Sequence, residues 1–330
     1  MIRAAPRTAR PPAAATFGLP ALKGAALLCC LLAGNAMAAS ILFVGNSFTY
    51  GAGTPVMMYR AHTVTDLNGE AKGGVPALFK AFTVQAGLDY DVATETHPGV
   101  GIDWHLAHSL DAIGKRRWDT VVLQSYSTLD ATLPGDAALL IDSVGRMSAF
   151  LKRANPAVTL RLTATWSRAD QTYAPGGHWH GKPIEAMAND LRAAYDQAAA
   201  GAHLVNAVIP VGEAWTRAMR SGFADDNPYD GIDAGKVNLW GGDHYHASIH
   251  GYYLEALTIF GSVTGRDPRS LGMHECAGLE LGITAQQIGA LEQIAADQLT
   301  ASGSALAPLA AVAAVAAARP AAPGGCAVAR

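Results

Sequence analysis

One stretch near the amino end constrains the chain more than any other: Ile-Leu-Phe-Val-Gly-Asn-Ser-Phe-Thr-Tyr at positions 41–50. Residues 41–44 are consecutive apolar side chains with no polar alternation. That pattern predicts a short strand covered on both faces, as in a parallel sheet. Gly45 and Asn46 end the run, and Ser47 follows at once. A hydroxyl just past the carboxyl end of a buried strand stands where open α/β sheets keep their ligand crevices. The same pair could equally be an ordinary helix cap, since Asn and Ser are favoured there.

The rest of the chain alternates. Further strands are expected at 89–96, 118–124, 159–165 and 203–211. Helices are expected at 76–86, 102–113, 137–154, 184–200, 213–221 and 251–265, with Thr54-Pro55 a possible additional start. Strand–helix alternation implies a three-layer α/β/α sandwich around a five-stranded parallel sheet, with right-handed crossovers. The polar residues of interest fall at carboxyl ends of strands: Ser47, the loop His97-Pro98-Gly99-Val100-Gly101, Gln124, and the loop leading into Asp243-His244-Tyr245-His246. Trp166 ends the fourth strand. That convergence is the residue-level argument for one active site.

A strand-end Ser near the start, with Asp-x-x-His shortly before a late helix, resembles the SGNH (GDSL-like) hydrolase superfamily over roughly residues 40–266. The branch in question has Gly-Asn-Ser-Phe as its first block, in place of Gly-Asp-Ser. The resemblance implies a flavodoxin-like SGNH hydrolase fold, with Ser47 as nucleophile, His246 as general base and Asp243 orienting the imidazole. Acyl transfer needs these three roles, plus donors preorganised for the developing oxyanion. The family draws those donors from the nucleophile's own N–H, a glycine N–H of a second block and an amide of a third. Here they fall on Ser47, on Gly101 (with Gly99 the second choice) and on Gln124. Better-known members have Gly-x-Asn-Asp at the third block, whereas this chain has Leu123-Gln124-Ser125, so Gln124 would offer the same amide on a longer stem. Trp104 and Trp166 are candidates to line a sugar or acyl pocket, although aromatics at strand ends serve equally often as packing. His178, His180, His244, His246 and His250 lack a recognisable ligand spacing, so neither metal nor cofactor is expected.

The two ends differ from the middle. Residues 1–38 carry Arg3, Arg7, Arg10 and Lys23 with no acidic residue, then an apolar run at 25–32 and Asn35-Ala36-Met37-Ala38. This reads as a secretory signal cleaved after Ala38. The run is shorter than the roughly 20 residues of a membrane span, so no stable insertion is expected. Losing four cations moves the formal charge from −3 to −7, which argues against nucleic-acid binding. Cys276 and Cys326 would remain and could pair in an oxidising compartment. Residues 301–330 form an Ala/Pro/Gly-rich tail with no partner face, and 39–300 hold a single hydrolase domain. The expectation is an exported (periplasmic or extracellular) serine esterase. It would cleave an acyl, possibly acetyl, ester of a small molecule or carbohydrate through an acyl-serine. The alternative is a non-catalytic glycan-binding module on the same scaffold.

Overall fold

Side chains along β1 (Ala39–Gly45) divide the molecule into its layers: Ile41 and Phe43 enter one buried apolar cluster, Leu42 and Val44 the other. This is the period-2 alternation of a strand covered on both faces. The structure is a computed structural model that describes residues 1, 2, 4 and 38–309. After β1 come α1 (Ser47–Tyr50), β2 (Thr65–Asp66), α2 (Gly74–Gln85), β3 (Tyr90–Thr96), α3 (Ile102–His108), α4 (Leu110–Ile113), β4 (Thr120–Leu123) and α5 (Ala138–Ala154). Then follow β5 (Thr159–Ala164), α6 (Ala169–Thr172), α7 (Glu185–Ala202), β6 (Ala207–Pro210), α8 (Val211–Arg220), α9 (Ile249–Thr264), α10 (Cys276–Glu280) and α11 (Ala285–Ala301). The sheet runs β2-β3-β1-β4-β5-β6, with every pairing parallel. Helices α3, α5 and α7 cover the Leu42 face, while α2, α8, α9 and α11 cover the other.

The expected three-layer sandwich is present, with differences of detail. The sheet has six strands rather than five, because Thr65 and Asp66 pair with Ala93 and Thr94 at the edge. Two polar residues in a glycine-bearing stretch carry no alternation that could announce a strand. The helix expected over 102–113 breaks at Ser109, whose hydroxyl donates to Glu95 Oε1 at 2.8 Å. Thr54-Pro55 opens a 3₁₀ turn, Pro55–Met58. The last covering helix is α11, not α9. Thr284 and Gln287 form a capping box at its start, and it packs on α8 and α9. Beyond it, Ala307 donates to the Gly265 carbonyl at 2.7 Å, so the first residues of the expected tail are tied to the domain. Cys276 is disulfide-bonded; Cys326, most of the expected tail and nearly all of the expected signal lie outside the described residues.

Strand order places the site. The chain builds outward from β1 to β3, then returns to lay β4 against the other side of β1. Gly45 pairs with Thr96, and Val44 with Leu123, so three loops open side by side at this switch point.

Beside them runs a buried aromatic column. Phe48 stacks on Trp166 with ring centroids 4.2 Å apart, and Trp166 stacks on Trp215 at 4.5 Å. Trp215 meets Trp240 edge-on at 5.5 Å. Trp166 is 0% exposed, so the sequence expectation that it lines a substrate pocket is corrected: it is core. Trp166→Ala should cost about 3–5 kcal/mol, read as an earlier denaturant midpoint. Unchanged stability with a raised KM for an ester would instead put Trp166 on substrate.

Candidate active site

Ser47 begins α1 and is 5% exposed. The turn that presents it is held from three sides. Asn46 caps α1, its Oδ1 accepting from Phe48 N–H at 3.1 Å. The Asn46 Nδ2 donates to the Val100 carbonyl at 2.8 Å and the Ser125 carbonyl at 3.2 Å. From below, Gln124 Oε1 accepts from Asn46 N–H at 2.9 Å and from the Thr49 hydroxyl at 3.1 Å. Gly45 is required by this crowding, since a Cβ there would collide with Thr49 Oγ1 and Gln124 Oε1. From the α9 side, the Tyr252 hydroxyl lies 3.3 Å from the Ser47 carbonyl and 3.2 Å from that of Ala52.

Asp243 and His246 lie on the loop entering α9. His246 Nδ1 is 2.6 Å from Asp243 Oδ2. The other carboxylate oxygen, Oδ1, accepts from the backbone N–H of Tyr245 at 3.1 Å and of His246 at 2.9 Å. His244 adopts φ +56 between them, a left-handed turn that lets one carboxylate reach back to two successive N–H groups. With Nδ1–H given to the carboxylate, the lone pair is on Nε2, which is buried and makes no hydrogen bond. Phe48, next in sequence to Ser47, packs 5.7 Å from the imidazole. The Trp166 indole donates to the Tyr245 carbonyl at 3.3 Å, which ties the loop to the aromatic column. Burial alone would raise the Asp243 carboxyl, but bonds from the His246 side chain and the two N–H groups bring it below the ordinary aspartate value.

Gly101 N-caps α3, on the loop that Asn46 holds through Val100. Gln124 differs from expectation. Its Oε1 is spent on the Ser47 turn and its Nε2 donates to the Ser125 carbonyl, and the residue is 1% exposed. The Oε1 and one of the two Nε2 hydrogens are thus engaged in holding loops together, a structural role beside the expected one. Trp104 stacks with two imidazoles, His97 at 4.3 Å and His108 at 4.5 Å.

One supporting residue escaped the sequence reading. His105 is 0% exposed, and its Nε2 lies 3.0 Å from the Gly45 carbonyl, where it can donate. Its Nδ1 lies 3.5 Å from Glu95 Oε1, the oxygen that Ser109 binds. The signal was a polar ring on the apolar stripe formed by Ile102, His105, Leu106 and Ser109, facing β1. Among the described residues no three His, Cys, Asp or Glu side chains gather so as to hold a metal. No helix among them is long and apolar enough to cross a membrane.

Comparison with solved structures finds the same architecture elsewhere. A DUF4886 family protein from Bacteroides uniformis superposes with a TM-score of 0.58 at 18% identity, covering 83% of this chain and 98% of its own. The fold is shared. Lower-scoring matches are a lipase/acylhydrolase from Enterococcus faecalis (TM-score 0.46, 15% identity, 69% of this chain and 96% of its own) and a family 3 carbohydrate esterase from Clostridium thermocellum (0.43, 18%, 67% and 93%). No family model and no curated protein matches the chain.

Two expectations follow from this geometry. Gln124→Ala strands the Asn46 N–H and the Thr49 hydroxyl, so it should lower stability by about 1–3 kcal/mol, seen as a shifted melting temperature. An equally stable variant with kcat reduced about 10²–10³-fold would return Gln124 to the oxyanion role. The second concerns pH. Because the folded Asp243 carboxyl titrates below its unfolded value of about 3.9, its stabilising contribution is complete above that value and is lost as pH falls through the folded one. Melting curves of wild type and Asp243→Asn should therefore differ most above about pH 5 and converge in acid. A constant difference across that range would contradict the assignment.

Proposed function

We propose that this protein is a serine ester hydrolase working through an acyl-serine at Ser47. The observation that carries the reading is the Asp243–His246 pair, 2.6 Å apart, with its free Nε2 on a loop packed against the helix that Ser47 begins. In this reading Nε2 takes the Ser47 proton as Oγ attacks the ester carbonyl. Asp243 holds the imidazole in the required tautomer and offsets the charge it gains. The N–H groups of Ser47 and Gly101 receive the oxyanion. His246 then protonates the departing alkoxide, and a water activated by the same nitrogen releases the acid. Gln124 and His105 serve by fixing the turn between β1 and α1, not by touching substrate.

The substrate is an acyl ester of a small molecule or carbohydrate. The carbohydrate side draws on the polar, glycine-rich loops around the site; it loses the support of Trp166, which is buried, while Trp104 stacks with His97 and His108. Export is proposed on residues 1–38 alone.

An organofluorophosphonate should label the protein once, at Ser47. Ser47→Ala should abolish both labelling and turnover of p-nitrophenyl acetate, while Asp243→Asn should lower kcat by up to about 10⁴-fold. Binding of acetylated glycans with no labelling and no turnover would favour the glycan-binding alternative; labelling elsewhere with activity intact in Ser47→Ala would overturn the assignment.

A further inference from the structure

The strand that supplies Gln124 runs on into a residue with no role so far. Tyr126 stands at the carboxyl end of β4 on a pinned backbone. Ser125 N–H donates to the Tyr195 hydroxyl at 3.1 Å, and the Ser125 carbonyl accepts from the amides of Asn46 and Gln124. The Tyr126 carbonyl accepts from Leu129 N–H at 3.1 Å. Ser125 Oγ also accepts from Ile102 N–H at 3.3 Å, which clamps the Gly101 loop against this strand end.

On that support the Tyr126 ring lies against Gly101. Its Cδ2 and Cε2 are so near that a Cβ on residue 101 would collide with them. The ring thus lies beside the Gly101 backbone, whose N–H is the donor assigned above to the oxyanion. Burial, then the nearby charge of Asp103, raise the phenol's pKa against the opposing effect of that N–H, so the ring is a neutral cover over the donor. Ser47 beneath is 5% exposed.

We propose that Tyr126 is the specificity-determining residue for the acyl group, restricting it to acetyl or little more. This inference rests on the esterase reading of Ser47. The ester carbonyl oxygen has to reach the Gly101 N–H beside this ring. The acyl substituent sits one bond from the carbonyl carbon and therefore meets the ring that packs on Gly101. A methyl group fits beside it, while each added methylene has to push the ring away from a backbone that cannot yield.

The experiment measures kcat/KM on p-nitrophenyl acetate, butyrate and octanoate for wild type, Tyr126→Phe, Tyr126→Leu and Tyr126→Ala, with fluorophosphonate labelling of Ser47 and melting temperature on each. Wild type should favour acetate. Tyr126→Ala should raise octanoate relative to acetate by about 10-fold or more, the scale of one methylene in a shaped pocket. Tyr126→Phe should keep the wild-type order, because the ring that meets the acyl group remains. If the alanine variant does not fold, the leucine variant reads the same shift at smaller size. An unchanged acetate-to-octanoate ratio in a folded variant that still labels at Ser47 overturns the inference and leaves the esterase reading standing, as does a wild type that prefers octanoate. Absence of labelling and turnover in wild type removes the reading itself, and the inference falls with it.

Discussion

The column Phe48–Trp166–Trp215 is the interaction on which the rest of the site depends. Its members come from α1, from the end of β5 and from α8, and its Trp166 indole also holds the loop of His246. These rings bury large apolar area and prefer a narrow set of stacking geometries. They therefore fix the helix that begins with Ser47 relative to the loop that carries His246, which backbone pairing alone could not do. Ser47 stands on the turn after β1 and His246 on a loop before α9, and aromatic packing joins the two.

A second, polar layer works on the other flank. Asn46, Gln124, Ser125 and the Val100 carbonyl exchange hydrogen bonds among three strand ends, all out of water. Buried groups of this kind are costly unless each finds a partner, so the loops are locked in one arrangement. His105 adds a further anchor at the Gly45 carbonyl. Ser47 is thus offered on a turn with little freedom, as the proposed role of nucleophile requires.

How much of this could be read beforehand depended on the range of each interaction. Central strands were legible because burial on both faces leaves an unbroken apolar run, as at 41–44; the edge pair Thr65–Asp66 has no such mark. The Asp243–His246 contact was legible because it is local, three residues apart on one turn. Gln124 was not, because a sequence names a donor and an acceptor without saying which partners lie 75 or more residues away. Trp166 failed for a related reason: a large ring at the end of a strand can point to the crevice or into the core, and nothing nearby distinguishes the two. His105 was overlooked because its partners, Gly45 and Glu95, lie on other elements.

The contact between Tyr252 and the Ser47 carbonyl spans 205 residues of chain. Its consequence concerns the order of assembly rather than the finished site. Contacts so distant in sequence form late, since the closure entropy of the intervening loop has to be met first. During synthesis the turn with Ser47 emerges early, while Asp243 and His246 join it only when α9 docks across the sheet. A chain interrupted before that helix holds a serine with no partner and an open apolar face. Assembly of the candidate site would then coincide with completion of the core, so that a half-made protein holds Ser47 without the Asp243–His246 pair.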